Sequence, residues 1–264
     1  RWGVSGEQLL NGSGITLDQL EKPYWYVEFN ILNQLIERAT ELCKEPALAG
    51  YLALNMTASC YGSVGMAAMV SPNLREALKI LEQFIGSRCK VFKPELKQEN
   101  NDAYWSIHQP VNAFQLSPNA NIFLLLGFVQ IAKKLTGLSH LGKVELQMPE
   151  PIGFDQISHQ LAVTCLFNQK RNRWIFPKEY LAQSVLTADP MLAPLLNAQC
   201  KRDIEKLNLK SGWKGQVKQV AEKLLLNGNI DALKVGQVAH IMNMSERTLQ
   251  RYLALDHTSF TLLV

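Results

Sequence analysis

Arg247, Thr248, Gln250 and Arg251 have the side-chain types and the spacing to read base edges in duplex DNA. Arginine presents a planar fork that matches guanine O6 and N7, and glutamine can pair with the N6 and N7 edge of adenine. At i, i+3 and i+4, Arg247, Gln250 and Arg251 share one face of a helix, with Thr248 on the flank. Leu249 and Leu253 fall on the opposite face, so a helix from Glu246 to about Ala254 is amphipathic. Ser245 stands where that helix needs an N-cap.

Such a helix reads DNA only if something holds it. The spacing predicts a supporting helix from Val235 to Met242, joined through Asn243, Met244 and Ser245. Ala239 is small enough for the two helices to touch, and Asn243 tolerates the positive φ of a tight turn. Val238, Met242 and Met244 are expected to face Leu249 and Leu253. A further helix, Gly215 to Asn227, carries Val217, Val220, Ala221, Leu224 and Leu225, and Asn227-Gly228-Asn229 should stop it. Two readings stay open on spacing alone: a DNA reader, or a capped surface helix whose arginines are simply solvated.

Charge is placed in line with the first. Residues 1–199 hold 17 Lys and Arg against 17 Asp and Glu, whereas residues 200–264 hold 10 against 6, so the net +4 lies entirely in the last quarter. A neutral body with a basic end suits a polyanionic partner for that end.

The preceding 200 residues read as an α+β domain with short antiparallel strands. Tyr26 to Leu42 is helical by period, Ser59 to Gly65 reads as a loop, and Ser71-Pro72 announces a second helix with Ser71 as its cap. Cys89 to Gln98 and Ala103 to Gln109 read as strands joined by a turn over Glu99 to Asp102, with Trp105 and Ile107 on the buried face. Pro118 to Thr136 is an apolar central helix. Val144 to Met148 is a strand, Gln156 to Ala162 a short helix, and Cys165 to Asn168 with Arg173 to Phe176 a last hairpin. Asp189-Pro190 and Pro194 mark the end of this domain, and the charged run Lys201 to Ser211 reads as a linker. The domains are therefore expected at 1–205, with a linker at 206–214 and a helix-turn-helix segment, all helical, at 215–264.

Other chemistry finds little support. The 47% apolar and 19% charged composition suits a soluble globular chain, and the longest apolar run, Ile122 to Ala132, is too short to span a membrane. Five scattered cysteines without a Cys-x-x-Cys pair predict free thiols in a reducing cytoplasm, each acting as a small buried hydrophobe. His108, His140, His159, His240 and His257 have no metal-ligand spacing, so neither a metal nor a cofactor is expected. Gly62-Ser63-Val64-Gly65 lacks the lysine of a phosphate loop, and nothing makes Ser63 a nucleophile. Lys170, Arg171 and Arg173 could contact DNA, but a solvated hairpin turn is the favoured reading. No catalytic residue is expected.

Ser245-Glu246-Arg247-Thr248-Leu249-Gln250-Arg251, with Leu253 and Thr258-Ser259-Phe260, resembles the first helix-turn-helix of the AraC/XylS family of transcription regulators. Phe167-Asn168-Gln169, Asn172-Arg173, Phe176-Pro177, Tyr180-Leu181 and Ala188-Asp189-Pro190 are similar to the end of the arabinose-binding-like sensor domain in its ornithine-utilisation-regulator-like subgroup. Gly62, Gly65, Ser71-Pro72 and Arg75 to Leu78 fit the middle of that domain. The resemblance implies that residues 1 to about 205 sense a small effector and dimerise, while the end binds double-stranded DNA. It does not name arabinose as the ligand. The family's DNA-binding domain holds two helix-turn-helix units, and this sequence stops at Val264, before the second. It also starts at Arg1 rather than Met. The resemblance thus implies a DNA reader truncated after its first unit, with Phe260, Leu262 and Leu263 short of packing partners.

The effector site has the thinnest signal. Tyr61, beside the glycines, and Trp105, on an inner strand face, are the candidates for lining an apolar sensor pocket. The whole therefore reads as a cytoplasmic, homodimeric, effector-controlled transcription regulator and not an enzyme. Its rival is a small-molecule carrier or enzyme whose C-terminal helices only pack or dimerise.

Overall fold

The computed structural model describes residues 2–20, 29–87, 89, 92–109, 115–210, 212–226, 233–242, 244–256 and 258–263. Its helices in chain order are α1 (Gly6–Leu10), α2 (Leu17–Leu20), α3 (Phe29–Cys43), α4 (Leu48–Leu54), α5 (Gly62–Met69), α6 (Leu74–Phe84), α7 (Pro118–Thr136), α8 (Asp155–Ser158), α9 (Leu192–Lys210), α10 (Gly212–Leu226), α11 (Val235–Ile241), α12 (Glu246–Leu255) and α13 (Phe260–Leu263). The strands are β1 (Lys93–Glu99), β2 (Asp102–His108), β3 (Lys143–Glu145), β4 (Thr164–Leu166) and β5 (Arg173–Pro177). The chain forms two compact units, Arg1–Cys200 and Lys201–Val264. No described helix is long and apolar enough to cross a membrane.

In the first unit the centre is α7, whose ends are written in the local sequence. The Ser117 hydroxyl accepts the Ala120 N–H at 3.1 Å, and Pro118 occupies the first turn, where its missing N–H costs nothing. Gly137 takes a left-handed φ of 74° and returns its N–H to Lys133 O at 2.8 Å. Between these caps α7 is apolar on nearly every side and buried along most of its length, as a helix covered all round must be. Asn33 of α3 ties to its start by accepting the Ser117 N–H at 2.9 Å.

One face of α7 meets a five-stranded sheet of order β1-β2-β5-β3-β4. The β1–β2 hairpin turns where expected, between Glu99 and Asp102, with Asn100 at φ 53°. Trp105 is fully buried, whereas Ile107 is only half-buried. Two expectations for the later strands fail. β3 and β4 pair in parallel, and β5 is not the hairpin partner of β4 but lies between β2 and β3. That central position sets Trp174 opposite Trp105 and buries it completely, which an isolated two-strand hairpin would not do.

The helical assignments also shift in places. The expected loop at Ser59–Gly65 is a 3-10 turn, Ala58–Tyr61, running directly into α5. Gly65 permits this, because a Cβ there would overlap the Ala58 carbonyl oxygen. α6 is capped by Asn73, whose Oδ1 accepts the Glu76 N–H at 3.0 Å; Ser71 is buried and donates instead to Ala67 O. α8 is shorter than its predicted span of Gln156 to Ala162, and α4 was not signalled by period. The predicted linker residues Lys201–Lys210 are helical and continue α9. Asp189 Oδ1 accepts the N–H groups of Met191 and Leu192 at 2.8 and 3.1 Å, so Asp189-Pro190 opens this helix. Tyr26 to Glu28, the stop at Asn227–Asn229, and Asn243 lie outside the described residues.

A pair of glycine substitutions tests this packing. Gly142 has φ 81° and a Cβ there would overlap the Ile175 carbonyl oxygen of β5, whereas a Cβ at Gly86 meets nothing within 4 Å. We expect Gly142→Ala to cost about 2–4 kcal/mol and Gly86→Ala to stay within about 0.5 kcal/mol, by urea denaturation of the first unit. Equal effects would contradict the close approach of β3 and β5.

Candidate nucleic-acid interface and effector site

The second unit is built around five buried side chains: Val217 of α10, Val238 and Ala239 of α11, and Leu249 and Leu253 of α12. Their spacing makes each helix contribute one apolar edge, and Ala239 lets α11 and α12 approach closely, as the sequence predicts. Met242 and Met244 pack against the same core, as do Phe260 and Leu263. The last two therefore have packing partners, contrary to expectation; Leu262 is 78% exposed. Phe260 and Leu263 belong to α13, a short turn of helix that folds back onto α10.

Within this frame α12 starts at a cap. The Ser245 hydroxyl accepts the Thr248 N–H at 3.1 Å and lies 2.8 Å from the Thr248 hydroxyl. The turn before it is closed by the Met244 N–H donating to Ala239 O at 3.0 Å. Arg247, Gln250 and Arg251 are exposed, while Thr248 is half-buried beside the cap. Gln250 Nε2 donates to Glu246 Oε1 at 3.3 Å, a weak contact a base edge could replace. Neither arginine takes part in a salt bridge among the described residues. Two exposed guanidinium groups and an amide on one helix face can donate hydrogen bonds to bases or phosphates. His240 is exposed on α11.

In the first unit, Tyr61 and Trp105 come together through a residue that sequence reasoning did not single out. Phe128 of α7 stacks on Tyr61 with centroids 5.5 Å apart and planes at 6°, and meets Trp105 edge-on at 5.5 Å and 70°. Phe92 joins the same ring cluster at 6.3 Å from Phe128. Phe128 was hidden because an aromatic in an all-apolar helix carries no polar contrast. Burial, and then the nearby thiols of Cys89 and Cys60, push the Tyr61 phenol above the ordinary tyrosine range, so it stays neutral at physiological pH. Among the described residues, Trp105 Nε1 is buried without a hydrogen-bond partner, a donor left unsatisfied at some cost. A 380 Å³ groove lined by residues of β3, β4 and β5 and a 790 Å³ one at Glu7–Leu17 include neither residue.

Among the described residues, no group of three or more His, Cys, Asp and Glu side chains could hold a metal ion. Among the described residues, no two cysteines are joined by a disulfide. Burial and then Glu150 push the Cys165 thiol up to about 12, which removes it as a nucleophile. Against the expectation that each cysteine is buried, Cys60 is exposed and Cys43, Cys89 and Cys165 are half-buried; Cys200 is buried.

Comparison with known proteins supplies a context for both regions. The family model described as the arabinose-binding domain of AraC transcription regulator, N-terminal, matches residues 3–185. The ornithine utilization regulator of Pseudomonas aeruginosa is 25% identical over 261 residues, covering 98% of this chain and 76% of that protein. The crystal structure of the transcriptional regulator CdpR from Pseudomonas aeruginosa aligns with a TM-score of 0.50 at 17% identity, covering 97% of this chain and 80% of that one. This last likeness concerns the fold.

The unpaired indole gives a test of the ring cluster. Trp105→Phe loses buried area but also removes the unsatisfied N–H, so its net cost should stay near 1 kcal/mol. Trp105→Ala should cost about 3–5 kcal/mol. If both variants unfold at the same denaturant concentration, Trp105 does not pack as described.

Proposed function

The chain belongs to the AraC-type regulators that carry an arabinose-binding N-terminal domain, and on that premise we propose that it is a sequence-specific, DNA-binding transcription regulator controlled by a small-molecule effector. The observation that carries this reading is the face of α12. Leu249 and Leu253 are fully buried, and Arg247, Gln250 and Arg251 are exposed on the opposite face, where they can reach into a major groove. Arg247, Gln250 and Arg251 then read bases, and Thr248 holds a backbone phosphate beside the helix start.

In this reading residues 1–205 sense the effector and pair two copies, 206–214 connect, and 215–264 form a helix-turn-helix. The protein acts in the cytoplasm, where its DNA is. A homodimer doubles the number of bases read, and the exposed Met191, Leu192 and Leu195 give the first unit an apolar surface that a second copy could cover. Tyr61 and Trp105 would line the effector site through largely apolar contacts, with Trp105 Nε1 donating to an acceptor on the ligand. The name of the curated relative makes ornithine one compound to include in a screen.

Two measurements test this. A duplex enriched from a randomised pool by the unaltered protein should bind with an affinity that falls steeply as salt rises, by a log–log slope of about −0.9 per phosphate contacted. Arg251→Ala should cost about 1–3 kcal/mol on that duplex and relax preference at one base position. A carrier or enzyme with merely structural C-terminal helices would show no salt-dependent DNA binding. For the sensor, a thermal-shift screen of metabolites should find a compound that raises the melting temperature. Trp105→Phe should reduce that shift, and an undiminished shift would place the effector elsewhere.

A further inference from the structure

The last turns of α12 and the first turn of α10 are joined by two contacts that the two-helix reading above does not require. Tyr252, half-buried and next to Arg251, lies parallel to Trp213 of α10, with ring centroids 4.2 Å apart and planes at 5°. One residue on, the backbone N–H of Lys214 donates to Asp256 Oδ2 at 2.8 Å, and Asp256 is the C-cap of α12. The Arg251 guanidinium carbon sits over the Tyr252 ring, 5.3 Å from its centroid. A cation over an aromatic face is held by the ring quadrupole, with preference for arginine. Of the two exposed arginines on the α12 face, Arg251 is the one with such a described hold.

From this geometry we infer that Trp213 and Tyr252 are positioning residues for base recognition. The inference rests on Arg251 being a base reader, as proposed above. A free arginine side chain samples many rotamers, and fixing one of them opposes binding. Tyr252 restricts Arg251 before DNA arrives, and the stack on Trp213 with the Lys214–Asp256 bond keeps Tyr252 itself from swinging away. Preorganisation of this kind favours the geometry that suits one base edge, so it acts on discrimination between sequences. Phosphate contacts do not pass through it, so the salt dependence of binding is unaffected. A stack that merely packs α10 on α12 would instead support binding to every duplex equally.

The test uses the full chain, the duplex enriched by the unaltered protein, and a random duplex of equal length. Tyr252→Leu should lower the preference for the enriched duplex by about two- to fivefold, the weight of one exposed cation–π contact. The slope of affinity against salt should not change. Tyr252→Phe, which keeps the ring, should restore the preference. In an Arg251→Ala background, Tyr252→Leu should cause no further loss, because its route of action has been removed. Where circular dichroism shows the leucine variant misfolded, Tyr252→Met, a flexible side chain without an aromatic face, takes its place with the same expectations. The inference is overturned if Tyr252→Leu weakens both duplexes equally, or if it costs the same factor with and without Arg251. If Arg251→Ala leaves the preference intact, the assignment of Arg251 falls and the inference with it. Salt-sensitive binding that persists in that case shows that the wider DNA-binding reading still stands.

Discussion

Burial of Leu249 and Leu253 against Val238, Ala239 and Val217 is the interaction on which the second unit turns. Each buried leucine removes apolar surface worth roughly 2 kcal/mol from water, and a helix cannot bury one face without presenting the other. With 3.6 residues per turn, the side chains displaced outward are Arg247, Gln250 and Arg251. The small Ala239 sets how closely α11 and α12 approach, and the Ser245 cap sets where α12 starts. Rotation, depth and starting point of the exposed face are thus fixed by apolar contacts and one hydroxyl, none of which would touch DNA.

The first unit solves a different problem. α7 is apolar on nearly all sides, so it must be covered by α3, α4, α6 and the sheet together. Its backbone is satisfied internally and its ends are capped by Ser117 and Gly137, which leaves side-chain packing to set its contacts. That packing gathers Tyr61, Phe92 and Trp105 around Phe128. In this aromatic core, Trp105 Nε1 has no hydrogen-bond partner among the described residues. A ligand acceptor would satisfy it, which is why the ring cluster rather than a surface groove is the proposed sensor. In the proposed function the two regions would act by opposite means. One presents polar groups on a surface that is rigid beneath, and the other keeps polar groups scarce inside a core.

Much of the second unit was legible in the chain because its signals are local. A cap at Ser245, a small residue at Ala239 and leucines at 249 and 253 are all short-range features, and their spacing alone defines an amphipathic helix. The family resemblance drew on the same residues. By contrast, the packing of Phe260 and Leu263 depends on where α13 folds, which no periodicity states. The stack of Trp213 on Tyr252 joins residues far apart in sequence, and nothing about either ring predicts the other.

In the first unit the sequence by itself determined the ends of α7, the β1–β2 turn and the burial of Trp105, since caps, turn residues and alternation act within a few positions. Only the tertiary structure decided the strand order. β5 enters between β2 and β3 and sets Trp174 opposite Trp105, a pairing between strands nearly seventy residues apart. The helix at Gly62–Met69 was decided in the same way, by a close approach to Ala58 that only Gly65 allows. Local chemistry fixes where an element begins and which face it offers. Which partner takes that face is settled by the burial of large side chains across the whole unit, a quantity that no short stretch of sequence contains.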